Sequence, residues 1–187
     1  LAHCMIAWAM CETNLGNMET AYEQLRAAKT LADDMGAPYL QVATAVATAG
    51  HYLLRDREGD SQRAERIGSE AAEQARVAQL PGFQATALSR QAEAIRRRGA
   101  AHRGLVVSLA ALKILDRHRQ LEDPEEEVLF HHFLVLSDDG KPDADEALRR
   151  ALRTFERKLE GIQSPEWKRS FSEDVPINQA ILDAADG

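Results

Sequence analysis

Four prolines recur at a nearly constant interval, and this recurrence limits what the chain can fold into. Pro38, Pro81, Pro124 and Pro165 are separated by 43, 43 and 41 positions. Each stands where a helix would begin, and the first turn of a helix tolerates proline because its N–H groups have no partner within the helix. Self-similarity at this interval is typical of an array of repeated helical units.

Residues 81–123 show the predicted unit most completely. Its first helix carries Leu88, Ala92 and Ile95 at i, i+4 and i+7, a spacing that places side chains on one face, and Gly99 ends it. The second helix, 102–121, repeats the pattern with Leu105, Leu109, Leu112 and Leu115. Two amphipathic helices joined by so short a turn must lie antiparallel, and each needs a neighbour to bury its apolar face.

The composition favours helices throughout. Aromatic residues make up 5% of the 187-residue chain, and its abundant Ala, Leu, Arg and Glu prefer helices to strands. We predict an all-α fold, a single domain formed as an α-solenoid of antiparallel helix hairpins. Its units are about 1–37, 38–80, 81–123 and 124–163, and 164–187 forms a truncated unit with capping helices. Because the chain starts within helical composition, we expect it to be a piece of a longer protein.

Charge and hydropathy exclude several classes of partner. The formal net charge of −7 disfavours binding to phosphate backbones and anionic lipid surfaces. No apolar run in the sequence approaches the roughly 20 residues that a membrane span needs. Cys4 and Cys11 stand in one predicted helix, about 10 Å apart along its axis, which is too far for a disulfide between them. We therefore predict a cytoplasmic protein that binds neither nucleic acid nor membrane.

The polar residues give no sign of catalysis. Cys4 and Cys11 are interpreted as buried, unreactive thiols of a packed helix. His131 and His132 diverge by about 100° on a helix, so they are interpreted as core or partner-contacting histidines and not as a metal pair. The acid-rich stretches 122–127 and 138–145 stand at turns and helix starts, where carboxylates favour the helix dipole. We predict a non-enzymatic protein without metal or cofactor.

Small residues recur at corresponding positions of the units. Ala9, Gly50 and Ala92 stand in the first helices. Matching small residues stand early in the second helices: Ala21, Ala64, Gly104 and Ala147. Two helices approach closely only where one of them lacks bulk, so these positions are interpreted as packing contacts.

Together with the turn glycines Gly16, Gly59, Gly99 and Gly140, this pattern resembles the tetratricopeptide repeat. Unit one shows it best, with Met5, Trp8, Ala9, Gly16, Ala21, Leu25 and Ala28. The resemblance implies a right-handed superhelix with a concave groove lined by the first helices. The interval exceeds the 34 residues usual in that family, which keeps HEAT and armadillo repeats as alternatives. The long units also resemble the C-terminal repeat arms of bacterial multidomain signalling proteins, such as serine/threonine kinases, cyclases and AAA-type ATPases.

The resemblance also predicts which residues line the groove, because groove positions lie one residue beyond the packed face of each first helix. Carried over to this chain, they are His51, Leu54, Arg55, Ser89, Glu93, Arg96 and Arg97. Neighbouring units would bring Arg55, Arg96 and Arg97 together as a site for a carboxylate or an acidic peptide, which arginine binds through two parallel hydrogen bonds. The structural alternative is that these arginines stabilise the end of a helix dipole.

Three functions follow from these observations. The first is a protein–protein interaction module that binds a peptide or helix in the groove, as the scaffold or sensory arm of a larger bacterial signalling protein. The second is a ligand-sensing regulatory domain of a transcription regulator. The third is self-association as a homodimer, because residues 5–10 are apolar around the whole first helix.

Overall fold

The computed structural model describes residues 1–118 and 125–186, and this part of the chain is entirely α-helical apart from its turns. The all-α prediction is confirmed. The helices of the described residues are α1 (Ala2–Asn14), α2 (Met18–Asp34), α3 (Pro38–Arg55), α4 (Asp60–Val77), α5 (Pro81–Arg97), α6 (Ala101–Arg117), α7 (Glu125–Asp138), α8 (Ala144–Gly161), α9 (Pro165–Glu173) and α10 (Pro176–Asp186). None of these helices is long and apolar enough to cross a bilayer.

Proline and glycine define the helix ends much as the sequence predicts. Pro38, Pro81 and Pro165 stand in the first turns of α3, α5 and α9, whereas Pro124 lies outside the described residues. Ser164 caps α9, since its hydroxyl accepts a hydrogen bond from the Trp167 N–H at 3.4 Å. The predicted end of the second helix in unit three, 118–121, falls only partly within the description, where α6 ends at residue 117.

Successive helices pack against each other, and the odd-numbered helices form a row. Each helix from α1 to α8 contacts the next one along the chain, which forms successive hairpins. The odd-numbered helices also contact one another in the order α1, α3, α5, α7, so they form a continuous row with α5 near its middle. Contact between successive first helices is what a solenoid of hairpins requires. The right-handed superhelix and the unit boundaries stay predictions.

The predicted small residues lie where helices cross. Ala9, Ala21, Ala64 and Ala92 have no exposed surface. A methyl group added at Gly104 would lie 3.1 Å from the Ala92 carbonyl oxygen, so α6 crosses α5 almost backbone to backbone. These small side chains fill the space between the packed helices, because the helices come close enough for alanine to suffice.

The last helices cover the end of the array. The side chains of Leu129 on α7, Phe155 on α8 and Ile181 on α10 are almost completely buried. Phe155 stacks on Phe171 of α9 with ring centroids 5.5 Å apart. The buried Asn178 amide donates a hydrogen bond to the Phe171 carbonyl at 2.9 Å, which joins α10 to α9.

The first helix is less buried than predicted. Cys4 and Cys11 are exposed, so the interpretation of both as buried thiols is wrong. Trp8, taken as a packed residue of the repeat, is 50% exposed. The reason is that α1 packs mainly against α2 and α3 among the described helices, and these contacts bury the face that carries Ile6 and Ala9.

The buried face of α6 also differs from the predicted one, because most of its buried residues precede a predicted leucine by one position. Gly104, Ser108, Ala111 and Leu115 are buried, whereas Leu109 is 42% exposed. Because the small residues allow the close crossing with α5, they occupy the contact itself. Leu115 remains in the buried face, whereas Leu105, Leu109 and Leu112 lie beside it, and Leu112 still packs against the core.

Candidate functional site

A cavity of about 400 Å³ follows the row of first helices. We call it the groove. Its apolar lining is Met10, Gly50, Leu53, Leu54, Phe130, Leu134, Val175, Pro176, Ile177 and Ala180. Its polar lining is Asn14, Arg90, Glu93, Arg96, Arg97, Glu126, Glu127 and His131. These side chains come from α1, α3, α5 and α7 and from the start of α10, so five helices build one continuous site.

Two other cavities of comparable volume differ in character. One of about 410 Å³ is lined by side chains of α4 and α5, and one of about 330 Å³ by side chains of α2, α3 and α4. Their linings are mainly polar and charged. Sites for ligands and partners are usually concave and mostly apolar with a few placed polar groups, so the groove is the better candidate.

Four of the seven predicted groove residues line this cavity. They are Leu54, Glu93, Arg96 and Arg97. Leu54 is 42% exposed although it is a large apolar side chain. Its position at the end of α3 therefore leaves an apolar surface open to a partner.

The other three predicted groove residues have contacts elsewhere. The His51 ring is buried, with its Nδ1 3.2 Å from the hydroxyl of Thr13. The Ser89 hydroxyl is buried against Nδ1 of His131 at 2.9 Å. Arg55 binds the Asp60 carboxylate through two hydrogen bonds of 2.6 and 2.8 Å. These side chains hold helices together.

The Asp60 carboxylate organises the turn between α3 and α4. It also accepts hydrogen bonds from the backbone N–H of Arg57 and from the Arg63 guanidinium. Burial alone would raise the pKa of Asp60, but the hydrogen bonds from Arg55, Arg57 and Arg63 outweigh it and lower the pKa to about 2. The guanidinium of Arg55 lies 4.9 Å from the ring centre of Tyr52, which adds a cation–π contact.

Glu93 is the centre of the charged part of the groove. Its carboxylate is almost completely buried and accepts two hydrogen bonds from Arg96, at 2.6 and 2.9 Å, and one from Arg97 at 2.6 Å. Burial alone would raise the pKa of Glu93, but the arginines and the neighbouring His131 outweigh it and lower the pKa to about 2. The carboxylate is therefore ionised at neutral pH.

The same two arginines join α5 to the neighbouring first helices. Arg96 donates to Asp138 at the end of α7 at 2.6 Å. Arg97 donates to the Leu53 carbonyl on α3 at 2.6 Å and to the Asp56 carboxylate at 3.2 Å. The sequence predicted that Arg96 and Arg97 would face the groove, but each is already bound to carboxylates of the chain itself.

A second ion pair lies deeper in the groove and was missed from the sequence. Arg90 binds Glu127 of α7 through hydrogen bonds of 2.6 and 2.9 Å and also donates to the Val46 carbonyl of α3 at 2.7 Å. Burial alone would raise the pKa of Glu127, but the charge of Arg90 lowers it. From the sequence Glu127 belonged to an acidic helix start, and nothing in the pattern paired it with an arginine 37 positions away.

The adjacent histidines of α7 are core residues, as one of the sequence interpretations states. His131 bonds to Ser89 of α5, and Nδ1 of His132 lies 2.9 Å from the hydroxyl of Ser108 on α6. Burial lowers the pKa of both imidazoles. Within the described ranges, no three His, Cys, Asp or Glu side chains are grouped so that they could hold a metal ion.

Comparisons with known proteins add no assignment to this geometry. No family model matches the chain, and neither the curated proteins nor the solved structures gave a match.

Proposed function

We propose that this chain is a non-catalytic protein–protein interaction module that binds a peptide or helix in its groove. The observation that carries the proposal is a single cavity with apolar side chains at both ends, from Met10 on α1 to Ile177 on α10, built by successive first helices together with α10. Apolar surface that several helices converge on is characteristic of helix-in-groove recognition. The buried ion pairs hold the walls of this groove in place before any partner arrives.

The wider assignment is part of the same proposal. The row of first helices and the small residues at the crossings support a tetratricopeptide-like array. Its resemblance to the repeat arms of bacterial signalling proteins supports a cytoplasmic scaffold or sensory arm. The geometry of the groove favours neither nucleic acid nor membrane as the partner, because its basic side chains are bound to carboxylates of the chain.

The proposal is tested by peptide selection with matched variants. A library of random displayed peptides is selected on the whole chain, and the enriched peptides are then measured against Leu54→Asp and Leu109→Asp. Both leucines are 42% exposed, but only Leu54 lines the groove. We expect Leu54→Asp to weaken binding at least tenfold, or about 1.4 kcal/mol, and Leu109→Asp to leave it unchanged. A selection that enriches no peptide contradicts the proposed function.

A second candidate function is self-association through α1. The exposed side of this helix carries Leu1, Cys4, Trp8, Cys11 and Leu15, with spacings of three and four residues that form one seam. A second copy of the chain would bury this seam. We expect a concentration-dependent dimer in sedimentation equilibrium under reducing conditions, and Trp8→Glu should abolish it. A strictly monomeric wild-type chain contradicts this candidate.

A further inference from the structure

The charged residues of the groove neutralise one another. Three arginines line it, Arg90, Arg96 and Arg97, and three glutamates match them, Glu93, Glu126 and Glu127. Arg90 is paired with Glu127, and Glu93 is shared by Arg96 and Arg97. Glu126 is paired with Lys158 of α8, and Asp138 and Asp56 complete the pairing of Arg96 and Arg97. The lining therefore offers a partner no unpaired positive charge from these arginines.

An acidic peptide would have to break this arrangement to bind. Arg96 and Arg97 could take a carboxylate of the partner only by releasing a carboxylate of the chain, either Asp138 or Asp56, which are 46% and 69% exposed, or Glu93, which is 1% exposed. Exchanging an exposed carboxylate for another one gains little, because exposed ion pairs contribute little. Breaking a buried ion pair leaves an uncompensated charge and is strongly unfavourable. The structure therefore argues against the acidic peptide that the sequence suggested as a partner.

The groove is elongated. Three steps between neighbouring first helices, at about 8–10 Å each, give a length of roughly 25 Å from α1 to α7. The lining side chains come from all four of these helices and from α10, so the groove runs along the whole of that length. A compact small molecule would leave much of the length empty.

The apolar side chains form two patches on either side of α5. Met10, Leu53 and Leu54 lie at the α1–α3 end, and Phe130, Leu134 and Ile177 at the α7–α10 end. The charged side chains of α5 lie between these patches. An occupant must therefore place apolar side chains at both ends of the groove and tolerate the neutral ion-pair cluster at its centre.

We propose that the occupant is an amphipathic helix of a partner protein that presents an apolar face of low net charge. This inference rests on the proposed function and names the chemistry of its partner. A helix that spans roughly 25 Å needs about 16–18 residues at 1.5 Å per residue. Its apolar side chains would recur at i, i+3, i+4 and i+7, the spacing of one helix face.

The inference is tested on the peptides that the selection enriches, synthesised with a fluorescent label. We expect Leu, Ile, Phe or Met at helical spacing and a net charge near zero. In fluorescence anisotropy, replacing two apolar anchors by Gln should weaken binding at least tenfold. Raising the salt concentration from low to physiological values should change the affinity less than threefold, because few exposed charges are involved.

The alternative outcomes separate the two proposals. Enriched peptides that are acidic, with affinity that falls steeply as salt is added, overturn the apolar-helix inference and leave the interaction module intact. Enriched peptides with apolar residues at alternate positions also overturn it, since that spacing belongs to an extended strand. Peptides that bind Leu54→Asp as well as wild type place the binding surface outside the groove and overturn both proposals.

Discussion

At the scale of single residues, Gly50 shows how a buried charge is accommodated between alanine-rich helices. A methyl group at this position would lie 2.6 Å from Nη1 and 2.8 Å from Cζ of Arg90. The guanidinium cannot retreat without cost, because Glu127 and the Val46 carbonyl hold it. Glycine at position 50 therefore leaves room for the guanidinium, and the helix gives up the higher propensity of alanine there.

We predict that Gly50→Ala destabilises the chain by about 1–3 kcal/mol, the usual effect of overpacking a filled site. The measurement is urea unfolding followed by circular dichroism at neutral pH. Gly161→Ala is the matched control, because a methyl group there meets nothing within 4 Å. If Gly50→Ala is as stable as Gly161→Ala, the Arg90 guanidinium does not need the space that glycine leaves at position 50.

A second prediction at this scale concerns the contribution of the Glu93 carboxylate to stability. Its pKa of about 2, against an ordinary value of 4.5, means that the folded state favours the carboxylate. This stabilisation is complete above about pH 4.5 and is lost as pH falls through about 2. Glu93→Gln should therefore lower the free energy of unfolding at pH 7 by roughly 3 kcal/mol, and the difference should narrow in acid.

The control for this prediction is Glu146→Gln. Glu146 also binds two arginines, Arg149 and Arg153, but all three side chains are exposed. Exposed ion pairs contribute little to stability, so the midpoint of urea unfolding should hardly move. Equal effects of the two substitutions would show that the burial of Glu93 is unimportant.

At the scale of helices, the sequence predicted the presence and the ends of each helix better than it predicted which side of the helix is buried. Every predicted helix is present within the described residues, with ends that differ by a few positions. The predicted burial of Cys4, Cys11 and Leu109 was wrong, because the side that a helix buries depends on which neighbours reach it. Of the residues predicted to line a groove, Leu54, Glu93, Arg96 and Arg97 line the cavity, and their role in binding stays a prediction. The Arg90–Glu127 pair could not be foreseen, because the two residues lie 37 positions apart in the sequence and on different helices.

Hydroxyl–imidazole pairs connect the helices in three places and make stability depend on pH. Burial lowers the pKa of His51, His131 and His132 from the ordinary value of 6.5. As pH falls below about 6.5, the unfolded chain therefore takes up protons that the folded chain does not. We predict that the free energy of unfolding falls by up to about 1.4 kcal/mol per pH unit for each histidine.

Urea unfolding at pH 7.5 and at pH 5.5 measures this dependence. His132→Gln should reduce the loss between the two pH values, since it removes one of the groups that titrate. Asp and Glu contribute little to the change in this range because they ionise at lower pH. An unfolding free energy that is constant between these pH values would contradict the neutral, buried state of the three imidazoles.

At the scale of the whole molecule, the two ends of the array differ. Ile181 on α10 is completely buried against the last hairpin, and Ile177 on the same helix lines the groove. The opposite end exposes Trp8 and both cysteines on α1. One short helix thus completes both the core and one wall of the groove, whereas α1 leaves an apolar side uncovered.

We predict that Ile181→Ala destabilises the chain by about 2–5 kcal/mol, because it opens a cavity in this buried cluster. Thermal unfolding measures the effect, and Trp167→Ala is the control because Trp167 is 70% exposed. Ile181→Ala should also weaken the binding of the selected peptides, since α10 holds Ile177 in the groove. If Ile181→Ala unfolds at the same temperature as wild type, α10 does not contribute to the core.

The arginines of α5 also have a mechanical consequence. Arg97 is bonded to the end of α3 and Arg96 to the end of α7, so these three helices cannot splay apart at that end without breaking charged hydrogen bonds. The array should resist bending there and bend more easily between α1 and α3. A stiff groove loses little conformational freedom when it is occupied, so differences in affinity among partners should arise mainly from how fast they leave.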